Sequence, residues 1–283
     1  MEKKNHSHSL TSMNIDDVYQ KVELLNHGEL CEVYSCKYMM KHNKQFVALK
    51  IYDNTKVSKE EWTKEVDLLL NVSHDNCISF LASSQAEEVS YIVMELSEGQ
   101  NLQQILDASE SKTLEQKHAA NCIYHILRGI RYLHKHGIVH GNICYQNVVY
   151  HAPTNVWKIC GFGSATLKQN NLKYTKESFP RVKEFLAPEL EKESEEQWDL
   201  ELIDEWGLGI VMYLVLVGEA PWKGENREIE WDKVNNEVAT SLLAQLLTVN
   251  SKRLKAEEAL KHRWFIEQLQ EKTYFTGHIF LQD

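Results

Sequence analysis

One long internal stretch of this 283-residue sequence has no acidic side chains. From Gln116 to Lys176 there is no aspartate or glutamate, although there are eight lysines and arginines. The whole chain has a net charge of −10, so this stretch carries +8 and the remainder −18. Composition alone therefore predicts a basic patch for an anion here. The acidic total argues against a nonspecific nucleic-acid-binding protein, which needs a basic face to neutralise phosphates.

Long apolar runs and a signal peptide are also missing. The longest apolar runs, such as Ile210–Val217, are much shorter than the ~20 residues that a membrane helix needs. Residues 1–13 are polar and rich in histidine, without the apolar core of a signal peptide. With 43% apolar and 25% charged residues, the sequence predicts a globular protein that does not span a membrane.

Metal-binding motifs of cysteine and histidine are absent. The six cysteines show no CxxC pairing or zinc-ligand spacing, and the 13 histidines include no HExxH motif. We therefore expect reduced thiols in a cytoplasmic protein, and no structural metal.

The chain before Leu96 has the pattern of strands with one helix. Short apolar and β-branched runs predict strands at Val33–Tyr38, Phe46–Tyr52 and Tyr91–Met94. Between them, the apolar residues of Lys59–Val72 have helical spacing.

After Leu96 the pattern changes to helices. Thr113 followed by Gln116 resembles a capping box and predicts a helix that Gly137 ends. Three further helices are predicted at Asp204–Val217, Val238–Leu247 and Ala256–His262. The first of them is nearly all apolar, so we expect it to be buried. A small strand-rich lobe thus precedes a larger helical lobe, with the boundary at Ser97–Gly99.

The small lobe contains two features that point to chemistry. Lys50 ends the strand sequence Val47-Ala48-Leu49-Lys50, and Glu65 on the predicted helix is a natural ion-pair partner, although a lone strand lysine is usually a solvated edge residue. The segment Leu25–Val33 has the register of a glycine-rich phosphate loop but keeps only its middle glycine. A plain hairpin turn at Gly28 is the alternative.

Further short motifs follow in a fixed order along the larger lobe. They are His140-Gly141-Asn142 to Asn147, Gly161-Phe162-Gly163, Ala187-Pro188-Glu189, Asp204-Glu205-Trp206-Gly207-Leu208-Gly209, and Arg253 before Leu260-Lys261-His262-Arg263-Trp264-Phe265. In this order and spacing, the motifs resemble those of a eukaryotic protein kinase domain, from about Asp17 to Phe265.

The resemblance extends to particular kinase groups. The Ala-Leu-Lys strand, Ala-Pro-Glu and the His-Arg-Trp-Phe ending are similar to the calcium/calmodulin-dependent Ser/Thr kinase group. The opening Asp16-Asp17-Val18-Tyr19 and the Gly-Phe-Gly triplet also resemble the kinase domain of the calcium/calmodulin-dependent serine protein kinase family, which are membrane-associated guanylate kinases.

The resemblance implies an α+β, bilobal protein-kinase-like fold. It has a small antiparallel β-rich N-lobe with one regulatory helix, and a larger, mostly helical C-lobe. The implied divisions are a flexible N-terminal tail (residues 1–16), the N-lobe (17–96), the C-lobe (97–266) and a C-terminal tail (267–283).

An adenine-nucleotide pocket for ATP is also implied. Lys50, paired with Glu65, would hold the phosphates, and the backbone from Glu95 onward would meet the edge of the adenine. The nucleotide-binding residues that the resemblance implies are Leu25, Gly28, Val33, Ala48, Lys50, Glu65, Met94, Glu95, Leu96 and Val149.

The catalytic positions depart from the family pattern. Asn142 stands in place of the proton-accepting aspartate, Gly161 in place of the metal-binding aspartate, and Cys144 in place of the loop lysine. Asn147 is retained as a neutral candidate ligand for Mg²⁺. An amide cannot take the hydroxyl proton and glycine has no ligand atom. The acid-free stretch therefore marks the place where kinase chemistry was lost.

We accordingly interpret the chain as a regulatory or scaffolding pseudokinase. It would bind ATP, with or without Mg²⁺, and a protein partner such as an active kinase or a scaffold. Two alternatives stay open at this point. One is a weak or metal-independent serine/threonine kinase that transfers phosphate from ATP, and the other is a purely structural interaction domain that binds no nucleotide.

Overall fold

The computed structural model describes residues 15–40, 45–168, 185–191, 199–222, 228–249 and 252–269. The chain forms two compact units, of which the first ends at Glu98 and the second begins at Gly99. The predicted tails at residues 1–16 and 267–283 lie mostly outside the described residues. They stay predictions, as do the lobe limits at residues 96 and 266. No helix among the described residues is long and apolar enough to cross a membrane.

The first unit is an antiparallel sheet with one full helix. Its elements in chain order are α1 (Ile15–Val18), β1 (Tyr19–His27), β2 (Cys31–Tyr38), β3 (Gln45–Asp53), α2 (Lys59–Leu70), β4 (Phe80–Gln85) and β5 (Val89–Glu95). The strand order is β1-β2-β3-β5-β4, and all four strand pairs are antiparallel. The three predicted strands and the predicted helix are confirmed.

A capping box sets the start of α2. The Ser58 hydroxyl accepts from the Glu61 N–H at 3.2 Å, and the Ser58 N–H donates to the Glu61 carboxylate at 2.9 Å. These reciprocal bonds satisfy two donors at the helix start and fix where α2 begins. The register of α2 matters because the helix carries Glu65 as a buried residue.

The second unit is mostly helical. Its elements are α3 (Leu102–Ala108), α4 (Gln116–Lys135), β6 (Ile138–Val139), β7 (Val148–His151), β8 (Val156–Ile159), β9 (Thr166–Leu167), α5 (Glu201–Val217), α6 (Glu237–Leu246), α7 (Ala256–Ala259) and α8 (Arg263–Leu269). Two short antiparallel pairs, β6–β9 and β7–β8, flank the loop that carries the candidate catalytic residues.

Helix α5 is the centre of this unit, as its apolar sequence predicts. The side chains of Leu208, Ile210 and Tyr213 are fully buried, and α4 and α6 both pack against the helix. Burial of nearly every face makes α5 a rigid base for the polar residues in its first turns. The predicted α+β fold is therefore confirmed.

Several helix boundaries differ from the predictions; α5, for example, begins at Glu201 and not at Asp204. Glu115, not Thr113, precedes the first residue of α4, and the Thr113 hydroxyl instead donates to Ser111 at 2.8 Å. The predicted helix Ala256–His262 already ends at Ala259, because His262 accepts the Trp264 N–H at 3.2 Å and starts α8. The predicted end of α4 is confirmed, since Gly137 follows it with a left-handed φ of 68°.

Candidate nucleotide site and catalytic loop

Lys50 on β3 and Glu65 on α2 form a buried ion pair in the first unit. The Lys50 Nζ lies 2.7 Å from the Glu65 Oε1, and the two residues are only 8% and 5% exposed. Burial by itself lowers the pKa of Lys50, but the Glu65 carboxylate outweighs it and the pKa is raised. The lysine is therefore a fixed positive charge in a largely dry site.

Tyr52 also contacts this ion pair, and the sequence reasoning missed it. Its hydroxyl donates to the Glu65 Oε2, and the Lys50 Nζ lies 4.8 Å from the centre of the Tyr52 ring. The signal was present in the sequence, because residues two apart on a strand point to the same face of the sheet. Tyr52, two positions after Lys50 on the strand, is therefore expected to lie beside the lysine.

Four of the predicted nucleotide-binding side chains share one face of the sheet. Val33 is directly opposite Lys50 in the β2–β3 pairing, and Met94 is opposite Ala48 in the β3–β5 pairing. Directly opposed residues and residues two apart lie on the same face. The small Ala48 side chain next to Val33 and Met94 leaves an apolar surface beside the Lys50 charge.

The remaining predicted residues of the first unit lie at the edges of this face. Leu25 is in an irregularity of the β1–β2 pairing, and Gly28 turns the hairpin with its N–H donating to the Cys31 carbonyl at 2.9 Å. At the end of β5, Glu95 accepts the Ser79 N–H on its carboxylate at 2.8 Å, and Leu96 follows it, half-buried. Their role toward a nucleotide stays a prediction.

In the second unit, Asp204 on α5 holds the start of the candidate catalytic loop. Its Oδ2 accepts the His140 N–H at 2.9 Å, and its Oδ1 accepts the Gly141 N–H at 2.8 Å. Because Asp204 is fully buried, these charge-assisted bonds are shielded from water. The loop backbone is therefore tied to the deeply buried helix α5.

The His140 ring connects this loop to the segment before Gly161. Its Nδ1 accepts the Asn142 N–H at 3.2 Å, which leaves Nε2 to donate to the Cys160 carbonyl at 3.0 Å. The ring also meets Phe162 edge-on, with 5.0 Å between the centroids. The frame of a catalytic loop is thus fully assembled.

The residues inside this frame carry no carboxylate. The Asn147 Nδ2 donates to the Asn142 carbonyl at 3.0 Å, and the Asn147 Oδ1 lies 2.4 Å from the place that a Cβ on Gly161 would take. Gly161 itself has a left-handed φ of 80°. The structure therefore brings Asn142, Asn147 and Gly161 together, whereas Val149 lies on β7 opposite Lys158.

These residues offer few ligands for the magnesium ion that kinases use. Gly161 has no side-chain ligand atom, and Asn147 donates from its Nδ2 within the loop, which leaves its neutral Oδ1 as the candidate ligand. Cys144 is 3% exposed, and burial raises the pKa of its thiol, so it supplies no charge in place of a lysine. Within the part of the chain that the structure describes, no group of three or more His, Cys, Asp or Glu side chains could hold a metal ion.

His134 at the end of α4 is a largely buried cation beside the frame. Its Nε2 is 2.8 Å from the Asp204 Oδ2, and its Nδ1 is 3.4 Å from the Glu205 Oε1. Burial alone lowers the pKa of His134, but the bonds to the two carboxylates raise it to about 10. Sequence reasoning missed this residue, because nothing in the chain around it indicates which acids it meets.

Basic side chains of the acid-free stretch face carboxylates from later in the chain. The Lys168 Nζ lies 2.9 Å from the Glu201 Oε1 and 3.2 Å from the Asp199 Oδ1, and the Lys135 Nζ lies 3.2 Å from the Glu257 Oε2. For these two lysines, the positive charge that composition alone suggested for a basic patch is therefore balanced by carboxylates of the same unit.

The first unit is a sheet with a buried lysine–glutamate pair, and the second is a helical unit whose buried aspartate holds a catalytic loop. This combination defines a protein of the kinase class. The family model described as "Protein kinase domain" matches residues 19–265, and the chain belongs to this family. The resemblance to a protein kinase domain is thereby confirmed.

Curated relatives come from the same group of kinases that the motifs indicated. The chain is 28% identical over 268 residues to the serine/threonine-protein kinase H1 homolog of Pinctada fucata, which covers 88% of the chain and 62% of that relative. It is 28% identical over 273 residues to the calcium/calmodulin-dependent protein kinase type II alpha chain of Drosophila melanogaster, with 89% and 50% covered. It is 28% identical over 276 residues to the serine/threonine-protein kinase DCLK2 of Rattus norvegicus, with 89% and 34% covered. The chain thus spans between one third and two thirds of the length of these relatives.

Proposed function

We propose that this kinase domain is a regulatory or scaffolding pseudokinase that binds an adenine nucleotide and a protein partner but transfers no phosphate. The observation that carries the proposal is the packing of the Asn147 amide against Gly161, with Asn142 beside them. At positions 142 and 161, an amide and a glycine stand where phosphoryl transfer needs a proton acceptor and a charged metal ligand, so the retained Asn147 has no carboxylate beside it.

The expected loss of rate is large. An asparagine can orient a substrate hydroxyl but cannot accept its proton, and loss of a general base lowers a rate roughly 10²–10⁴-fold. Loss of metal anchoring removes charge stabilisation of the transferring phosphoryl group as well. Asp204 offers no replacement, because both of its oxygens accept backbone N–H groups and it is fully buried.

Nucleotide binding is supported by the intact face around Lys50. The ammonium is positioned by Glu65 at 2.7 Å, and an ammonium has three donors, so it can serve a phosphate as well as the carboxylate. The kinase resemblance implies that aspartates at positions 142 and 161 would add negative charge near the phosphates, so their replacement favours a metal-free triphosphate. We therefore propose that ATP binds without Mg²⁺.

The test is a thermal-shift titration with ATP in EDTA and, in parallel, in Mg²⁺. The melting temperature of the wild type is expected to rise in EDTA, since ligand at ~100-fold its Kd stabilises by about 2.7 kcal/mol. Lys50→Met should abolish the rise. Lys56→Met, which changes an exposed lysine of the same unit, should retain it. No rise at millimolar ATP in either buffer rejects nucleotide binding and leaves the purely structural domain.

A second candidate is a weak, metal-independent serine/threonine kinase. The short Lys50–Glu65 pair and the retained Asn147 favour it, because both match the roles that the kinase resemblance assigns. Transfer of radiolabel that persists in EDTA and disappears in Lys50→Met would support this candidate over the first.

The partner is proposed to be another protein, either an active kinase or a scaffold. The cytoplasmic location also stays a proposal, supported by the six cysteines, which all lie in the described residues and form no disulfide.

A further inference from the structure

Both oxygens of the Glu65 carboxylate are held by side chains of one strand. Oε1 receives the Lys50 ammonium at 2.7 Å, and Oε2 receives the Tyr52 hydroxyl. Because Lys50 and Tyr52 are two residues apart on β3, they project from the same face and both donate to the carboxylate.

This cluster lies in an environment that makes its bonds strong. Tyr52 and Glu65 are each 5% exposed, and Lys50 is 8% exposed. Charge-assisted hydrogen bonds gain strength when water is kept away, and an unpaired buried charge is correspondingly unfavourable. Burial also raises the pKa of Tyr52, so its hydroxyl remains a protonated donor at neutral pH.

Tyr52 acts on the lysine in two ways. Its hydroxyl fixes the rotation of the Glu65 carboxylate, which aims Oε1 at Lys50, and its ring lies 4.8 Å from the Lys50 Nζ. A cation over an aromatic face is attracted by the ring. The position of the ammonium is thus set from two sides by groups of the first unit alone.

We propose that Tyr52 is a positioning residue of the nucleotide site, which holds Glu65 and, through it, the Lys50 ammonium in place for the phosphates. The proposal rests on the proposed nucleotide-binding function. It adds a reason why a site without a metal could keep its phosphate-binding lysine ordered before the nucleotide arrives.

The test compares ATP with adenosine by calorimetry in EDTA, with the whole chain. Tyr52→Phe should weaken ATP binding about ten-fold, the order of one hydrogen bond to a charged group. Adenosine binding should change less than two-fold, because adenosine has no phosphate for Lys50. Tyr91→Phe is the matched control, since it removes a hydroxyl from β5 opposite Ile51, on the other face of the sheet. It should leave both affinities unchanged.

A second measurement needs no nucleotide. In urea unfolding, Tyr52→Phe should raise the unfolding equilibrium constant about ten-fold in the wild type, but less than two-fold in the Lys50→Met/Glu65→Leu background. A fall in ATP and adenosine affinity by the same factor, or no fall in either, overturns the positioning role while the pseudokinase proposal stands. Failure of the wild type to bind ATP at all overturns the proposed function instead. Equal effects in the two unfolding backgrounds overturn the Tyr52–Glu65 coupling itself.

Discussion

The Oδ1 atom of Asn147 lies 2.4 Å from the point that a Cβ atom on Gly161 would occupy. The retained Asn147 and the departure at Gly161 are therefore one arrangement in space. The Asn147 amide occupies the space that a side chain at position 161 would need, so the amide can lie there only because residue 161 is a glycine. Gly161 also has a φ of 80°, a conformation that L-residues with side chains rarely adopt.

The first prediction follows from this contact. Gly161→Ala should lower the free energy of unfolding by about 2–4 kcal/mol, because it adds a left-handed alanine, at roughly 1–2 kcal/mol, and a clash with the Asn147 amide. Urea denaturation measures the change.

Gly137→Ala is the control for the backbone contribution. Gly137 has a φ of 68°, but a Cβ there meets no atom within 4 Å, so only the strain of the left-handed backbone is added. In an Asn147→Ala background, the excess effect of Gly161→Ala over Gly137→Ala should disappear. An equal effect of the two glycine substitutions in the wild type would show that the amide moves away freely.

The second prediction concerns the buried pair of Lys50 and Glu65. Lys50→Met should destabilise the fold by about 3–5 kcal/mol, because it leaves a 5% exposed carboxylate without its counter-charge. Adding Glu65→Leu should recover part of that loss, since the double variant has no unpaired charge but leaves the Tyr52 hydroxyl without its acceptor. Thermal and urea unfolding of the three proteins check this. A double variant less stable than Lys50→Met would contradict it.

The third prediction is a pH dependence from His134. Its pKa in the folded protein is about 10, raised from 6.5 by Asp204 and Glu205 against the effect of burial. The folded state therefore binds the proton more tightly than the unfolded state. The stabilisation is complete below pH 6.5 and is lost as the pH rises toward 10.

Between pH 6.5 and 8.5, the free energy of unfolding should accordingly fall, by at most about 1.4 kcal/mol per pH unit. His134→Gln should remove this slope, whereas His136→Gln, an exposed histidine at the end of the same helix, should keep it. Urea titrations at several pH values measure it. A slope that survives in His134→Gln would assign the dependence to other groups.

The fourth prediction concerns Arg253. Its guanidinium binds both oxygens of Glu189, at 2.6 and 3.0 Å, and its Cζ lies 4.9 Å from the centre of the Trp206 ring. Arg253→Lys should therefore destabilise the fold by about 2–4 kcal/mol, because an ammonium can reproduce neither the two-point bond nor the stacking.

Arg263 provides the comparison for Arg253. It pairs with Glu267 one turn along α8, but its side chain is 76% exposed. Arg263→Lys should change the stability by less than about 0.5 kcal/mol. Similar losses in the two lysine variants would mean that the buried geometry around Arg253 contributes little.

Patterns local in the chain predicted much of this fold. The strands at Val33–Tyr38 and Phe46–Tyr52 and the buried helix at Asp204–Val217 follow from alternation, β-branching and continuous apolar sequence. The pairing of Lys50 with Glu65 also followed from a strand lysine and a helix glutamate. The Thr113 capping box failed because a short hydroxyl has several local acceptors, and Ser111 was the nearer one.

The parts that could not be predicted depend on contacts between distant segments. His134 meets Asp204 and Glu205 only because α4 packs on α5. Lys168 and Lys135 belong to a stretch with an excess of positive charge in the sequence. In the fold, Glu201 and Glu257 on other helices pair with them and balance their charge. Composition measures charge along the chain, whereas the fold pairs it in space.

Phosphate transfer under conditions of demonstrated ATP binding tests the central claim most directly. The wild type and Lys50→Met would be incubated with γ-labelled ATP and a basic protein substrate, in Mg²⁺ and in EDTA, at an ATP concentration that saturates the wild type by calorimetry. The account predicts bound ATP and no label on the substrate or the chain above the level of Lys50→Met. Label above that level in either buffer would contradict it and identify the chain as an active kinase.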